Sequence, residues 1–193
     1  MRKARIYVCH TFYHAYITFL KEMALPKEQQ GGATLVLSNL STDLTSLIDK
    51  VKATEFFEEV IRFDEKPFWY FKELDKYKKD RGNIVINMFY RIAFSRKFAK
   101  LEAPFVPVDF REYKEIYVYC DSDPIGLYLN MNHIYYHAVE DGLDTLTLPS
   151  VHSNNYPESK WKRKLRMFFN AGFYSFGESK FTSSIEVNNK EGL

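Results

Sequence analysis

Residues 116–142 read IYVYCDSDPIGLYLNMNHIYYHAVEDG. Ile116, Tyr117, Val118 and Tyr119 form an apolar, strand-like run that gives way to Asp121-Ser122-Asp123-Pro124 and Gly126. A second hydrophobic segment, Ile134 to Val139, stops at Glu140-Asp141-Gly142. Two strand-like runs therefore each end in a loop that carries carboxylates. In an open α/β sheet, ligands bind outside the carboxyl ends of parallel strands. Chemistry is expected at these two loops.

The segments before this stretch supply the rest of such a sheet. Arg5 to Cys9 reads as a first strand and runs straight into His10-Thr11-Phe12-Tyr13-His14. Ala15 to Ala24 has a helical period, with Tyr16, Phe19, Leu20 and Met23 as its apolar face and Thr11 as its cap. Ala33 to Ser38 is a second strand. Asp43 to Lys52 is a helix with Leu44, Leu47, Ile48 and Val51 on one side, capped from within Asn39 to Thr42. Phe56 to Phe63 is a third strand, ending in Asp64-Glu65-Lys66-Pro67. This βαβαβ opening predicts a Rossmann-like α/β fold: a doubly wound, mainly parallel sheet with helices on both faces. No glycine-rich fingerprint follows the first strand, so a dinucleotide site of the usual kind is not expected.

Phe68 to Leu101 is mostly helical by pattern. Phe68, Trp69, Phe71, Leu74 and Tyr77 give one apolar stripe, Gly82-Asn83 interrupts it, and Ile84, Met88, Ile92 and Phe98 mark a second helix. Arg91, Arg96, Lys97 and Lys100 form its solvated side. After Gly142 come Leu143 to Pro149, a polar loop from His152 to Pro157, and a basic helix from Glu158 to about Asn170. Thr182 to Val187 reads as a short strand. We divide the chain into a Rossmann-like unit, 1–150, and a basic helix with a C-terminal segment, 151–193, leading to a second domain that this sequence lacks.

The chain of 193 residues carries a net charge of +2, which argues against a nucleic-acid partner. Its 17 Phe, 14 Tyr and 2 Trp either pack a core or, in part, meet a sugar, a base or a partner domain. Cys9 and Cys120 each end an apolar run and read as buried thiols in a reducing compartment. No signal peptide or membrane span is read, so the expected location is cytoplasmic. Lys160, Lys162, Arg163, Lys164 and Arg166 cluster on the basic helix. That helix either packs on the domain with its cations in water or lies on anionic lipid at the inner face of the membrane. A homodimer is carried as a further expected partner.

Several side chains could carry chemistry. Glu140 and Asp141, if they face one site, repel each other and raise the proton affinity of one, which suits a general base near neutral pH. Gly142 permits a tight turn there, and a plain Asp-Gly turn is the competing reading. His10 and His14 flank the first strand-to-helix turn, where a phosphate or sugar rests at a helix N-terminus. Asp121, Ser122 and Asp123 either cap the next helix or, with Gly126, form an acceptor-binding loop. His133 and His137 sit on a run that reads as a strand, too far apart to share a metal. His137 orients a substrate or a carboxylate, or fills the core. No metal site is expected.

The pattern strand, D-S-x-x-x-G, then Y-H-x-x-E-D-G, in Asp121-Ser122 to Gly126 and Tyr136-His137 to Glu140-Asp141-Gly142, resembles the bacterial sialyltransferases of glycosyltransferase family 52 and the related polysialyltransferases. The opening IYVCHTFYHAYIT looks like their first strand and turn. The resemblance implies the N-terminal half of a GT-B enzyme that builds lipooligosaccharide or capsule. It implies a glycan acceptor and a nucleotide-sugar donor, CMP-sialic acid. The general base would be Glu140, with Asp141 as second choice. Inverting displacement of this kind needs no metal or cofactor when helix dipoles and side-chain donors stabilise the leaving phosphate. The family also carries a later His-Pro motif that serves the leaving group, and this sequence has no His-Pro pair. An isolated acceptor-side domain, a truncated chain or a degenerate relative is expected. The competing class is a non-catalytic binding domain at the membrane surface, and a weaker third is an orphan nucleotide-binding fold.

Overall fold

The computed structural model describes residues 2–142, 160–169 and 176–187. Six strands form one sheet, all neighbours parallel. They are β1 (Lys3–Cys9), β2 (Ala33–Ser38), β3 (Glu59–Phe63), β4 (Tyr113–Val118), β5 (Tyr136–Val139) and β6 (Thr182–Glu186). Their order across the sheet is β3-β2-β1-β4-β5-β6. The fold is therefore Rossmann-like, and the order reverses between β1 and β4. Strand β6 comes from beyond residue 150, so the sheet draws on both sides of the division made from sequence.

Side-chain alternation along each strand sorts the core into two layers. Tyr7, Cys9, Leu35, Leu37, Tyr117 and Tyr119 face α1 (Phe12–Met23) and α2 (Thr45–Lys52). Ile6, Val8, Val36, Ile116 and Val118 face the other way, onto Ile125 and Leu129 of α5 (Pro124–Met131). A third cluster joins Phe71 and Leu74 to Phe94 and Phe98 of α4 (Ile84–Glu102) and Leu127 of α5. The short α3 (Asp75–Lys78) precedes α4.

Several expected faces turn out differently. In α1 the buried residues are His14, Ala15, Thr18 and Glu22, while Tyr16, Leu20 and Met23 are exposed. The cause is polar pairing. Arg5 donates from Nε and Nη2 to the Glu22 carboxylate, and Tyr7 Oη donates to Glu22 Oε1 at 2.7 Å. Thr18 Oγ1 and Tyr119 Oη are 2.8 Å apart. Polar groups with partners tolerate burial, so hydrophobicity alone misjudged the rotation of this helix. Helix α2 has Leu44 at its cap position and no side-chain cap bond from it, and Asp43 Oδ1, just before, accepts from Thr45 N, so nothing within 39–42 caps it. Trp69 and Ile84 are exposed instead of lining a stripe.

His133 does not belong to a strand. It stands at φ 57° just past α5, with His133 N donating to Asn130 O and Ile134 N donating to Leu129 O. This paired closure ends a helix in the left-handed conformation. Cys9 and Cys120 are both free and buried. Arg91, Arg96, Lys97 and Lys100 are exposed as expected. The last helix, α6, is Lys160–Phe169, with Trp161, Lys164 and Phe168 exposed. The side chains of Lys160, Lys162, Arg163 and Arg166, and the segment 143–159, lie outside the described residues. Among the described residues no helix is long and apolar enough to cross a membrane.

Candidate functional site

The carboxyl ends of β1 and β4 flank the reversal in strand order, where such sheets bind ligands. Helix α1 starts almost directly after β1. Thr11 supplies its cap, accepting at Oγ1 from His14 N at 3.2 Å. This tight start sets His10 and His14 one turn apart, and His10 N donates to His14 Nδ1 at 3.1 Å. An accepting Nδ1 puts the ring proton of neutral His14 on Nε2. That N–H donates to Oδ1 of Asp141, just beyond β5. The imidazole lies flat on Tyr119 at the end of β4, with ring centroids 4.5 Å apart and planes 8° from parallel. His14 is buried, whereas the Asp141 side chain is 47% exposed. The pair is thus a rigid donor aimed at a carboxylate that still meets solvent.

Glu65, from the loop after β3, crosses the same rim underneath. Its Oε2 accepts from Ser38 Oγ at 2.6 Å and lies 2.7 Å from His10 Nε2. Its Oε1 accepts from Ile125 N at 2.8 Å. Ile125 is in the first turn of α5, so Glu65 fills the anion site at that N-terminus. Asp123 occupies the cap position but makes no side-chain cap bond. Burial works against charge on His10, yet the charge and hydrogen bond of Glu65, helped by Asp123 and Asp141, hold its pKa above the ordinary value. His10 Nδ1 is buried without a hydrogen-bond partner. Burial also raises the Asp123 pKa, with His10 pulling the other way. Burial, followed by the charges of Asp123 and Asp141, pushes the Cys120 thiol well up, which argues against a thiolate nucleophile.

His10, His14 and Cys120 bring potential ligand atoms within 4.8 Å of one another. Metal ligation needs imidazole lone pairs and a thiolate. His14 offers neither nitrogen: Nδ1 holds the backbone N–H of His10, and Nε2 carries a proton to Asp141. A cation held by this trio would have to displace His10 N or Asp141 from His14.

No family model, no curated protein and no solved structure matches the chain.

The geometry separates the residues singled out in the sequence. His10, His14, Asp123 and Asp141 converge on the rim. Glu140 and Asp141 are not equivalent: Glu140 is 2% exposed, and its N–H donates to Glu186 O at 2.9 Å. Asp121 is buried, and its Oδ2 accepts from Tyr136 Oη at 3.1 Å and Gly177 N at 3.0 Å. Burial raises its pKa to about 6 although both hydrogen bonds pull it down. Asp121 is thus a tie between β4, β5 and the segment before β6. Ser122 is exposed. Gly126 serves packing, because a Cβ there would stand 1.9 Å from the Asp121 carbonyl oxygen. His137 is opposite Tyr117 within the sheet, stacked on its ring, with Nδ1 2.7 Å from Ser184 Oγ. That position is in the body of the sheet rather than on its rim. Gly142 stands at φ 138° directly after Asp141.

Glu65, Cys120 and Tyr119 were not foreseen as site residues. Glu65 was open to discovery by the rule already applied to Asp121 and Glu140, since Asp64-Glu65 follows a strand of the same sheet.

Proposed function

We propose that this chain is the acceptor-side unit of a sialyltransferase-like glycosyltransferase, with Asp141 as general base in place of Glu140. The observation that carries this reading is the His14–Asp141 pair at the reversal of strand order. A base must meet its substrate, and Asp141 is half-exposed while Glu140 is buried. His14 fixes one carboxylate oxygen, the Cys120 thiol also meets this carboxylate, and the half-exposed side chain can still receive an acceptor hydroxyl. The acceptor is a glycan and the donor is CMP-sialic acid. The acceptor oxygen forms a bond to the anomeric carbon as its proton passes to Asp141. The bond from that carbon to the phosphate of CMP breaks, and CMP leaves with the electron pair. Resemblance in the Tyr136-to-Gly142 motif supports the choice of substrate class.

The test is sialyl transfer from CMP-sialic acid to a galactose-terminated oligosaccharide by this unit joined to a donor-binding half, with acceptor binding to the unit alone measured alongside by titration. Asp141→Asn is expected to lower transfer by about 10²–10⁴-fold, the usual worth of a positioned base, with acceptor binding retained. Glu140→Gln is expected to do much less. Transfer indifferent to Asp141→Asn, or a unit that does not bind the acceptor, overturns the reading.

A further inference from the structure

The first two turns of α4 are unusual for a surface helix. Ile84, Val85, Ile86 and Phe89 are exposed by 49%, 48%, 45% and 59%. Successive residues on a helix point about 100° apart, so three in a row make the tip apolar on nearly every side. No charged residue occurs between Arg81 and Arg91. Amphipathic helices put one face in water, whereas the polar side chain within this tip, Asn87, turns its amide to Arg81 N and Asp80.

The backbone at the tip is closed on itself. Asn83 Oδ1 accepts from Val85 N at 2.9 Å and Ile86 N at 3.2 Å. Asn87 Oδ1 accepts from Arg81 N at 2.9 Å, and its Nδ2 donates to Asp80 Oδ1, which also accepts from Gly82 N at 2.8 Å. Amides at the start of a helix normally need water or a partner. Unmet donors would make entry into a low-dielectric phase costly, and here much of that cost is already removed.

A cationic rim lies beside the tip. Lys76, Lys78, Lys79 and Arg81 are all exposed, and they outnumber the exposed Asp75, which pairs with Lys78 at 2.8 Å, and Asp80. Tyr77 of α3 approaches Tyr90 of α4 with ring centroids 6.1 Å apart, and the Arg81 guanidinium lies 4.7 Å from the Tyr90 ring. The cations thus stand where lipid headgroups would be if the apolar tip entered the acyl region, and long cationic side chains can reach back to phosphate level.

We propose that the N-terminal tip of α4, Ile84 to Phe89, inserts into the headgroup–acyl boundary of an anionic bilayer, with Lys76, Lys79 and Arg81 contacting lipid phosphates. This surface is distinct from the basic helix α6 and does not depend on the glycan reading. The apolar tip supplies depth, and the rim supplies selectivity for negative lipid.

The full chain is sedimented with phosphatidylcholine vesicles containing or lacking phosphatidylglycerol. Binding is expected with the anionic vesicles and at least tenfold weaker without them. Val85→Asp with Phe89→Asp is expected to reduce binding at least tenfold, with an unchanged circular dichroism spectrum because both sites are exposed. Lys76→Glu with Lys79→Glu is expected to abolish the preference for phosphatidylglycerol. A Phe89→Trp protein is expected to be quenched by lipids brominated on their acyl chains. The proposal is overturned if the aspartate pair leaves binding intact, if Trp at 89 is not quenched, or if the tip instead mediates a dimer, seen as vesicle-free self-association lost in the same variants. Loss of binding only on charge reversal at Lys162, Arg163 and Lys164 would assign the contact to α6 and overturn it too.

Discussion

His14 and Asp141 are hydrogen-bonded partners although 127 residues separate them in sequence. One follows β1 and the other follows β5, and the ring reaches its partner by lying over Tyr119 at the end of β4. Three parallel strands thus contribute to one oriented carboxylate.

This relationship predicts a graded response at residue 14. His14→Phe keeps a flat ring on Tyr119 but removes both the acceptor for His10 N and the donor to Asp141. Stability is expected to fall by about 1–3 kcal/mol, because a buried N–H loses its partner. Transfer is expected to fall by at least tenfold more than this unfolding explains, measured at a temperature where both proteins are folded. Equal transfer by folded His14→Phe would show that Asp141 does not need orienting.

The second expectation concerns Glu65, whose charge and hydrogen bond hold the pKa of buried His10 above its ordinary value against desolvation. Glu65→Gln keeps the shape and removes the charge. The His10 pKa is expected to fall, read from imidazole nitrogen shifts across a pH titration. The N-terminus of α5 also loses its anion, which costs about 0.3–1 kcal/mol or more when buried. An unmoved His10 titration would show that another group holds the proton.

Asp121 gives a pH dependence with a definite sign. Its folded pKa of about 6 lies above the unfolded value near 4. The protonated form is favoured in the fold, so this contribution is complete below about pH 4 and is lost as pH rises to about 6. Two pKa units correspond to about 3 kcal/mol. Asp121→Asn keeps an acceptor for Tyr136 and Gly177 without the charge. Urea denaturation is expected to find the variant more stable than the parent at pH 7, by up to that amount, with the difference vanishing near pH 4. A difference independent of pH would mean that Asp121 does not titrate in this range.

Gly126→Ala tests a backbone approach. The added Cβ would overlap the carbonyl oxygen of Asp121 at 1.9 Å, and backbone on both sides must move. A loss of about 3 kcal/mol or more is expected, at the upper end for an overpacked site. For a chain of this size that is a fall in Tm of about 6–12 °C. An unchanged Tm would place Gly126 in the loop for some reason other than space.

Much of the architecture was legible in the chain. Strands β1, β2 and β4 are short runs of Ile, Val, Leu and Tyr, each followed by polar residues, and parallel strands buried on both faces read in that way. Thr11 announced its helix because a hydroxyl before a helical period has one common use. Where burial depended on partners, the reading failed. Glu22 and Thr18 look solvent-facing until Arg5, Tyr7 and Tyr119 are placed beside them. His133 and His137 look alike in sequence, yet a left-handed helix end takes one out of the strand.

By itself, the sequence determined the local states: which segments are strands or helices, that the sheet is parallel, and that its carboxyl ends carry acids and histidines. These follow from periodicity and capping, which act within a few residues. Only the tertiary structure decided that Asp141 meets His14 and solvent while its neighbour Glu140 is buried, and that Glu65 lies beneath them. Those outcomes depend on the strand order, which brings residues that follow four separate strands to one rim, and hydrogen bonds select partners by position in space rather than by distance along the chain.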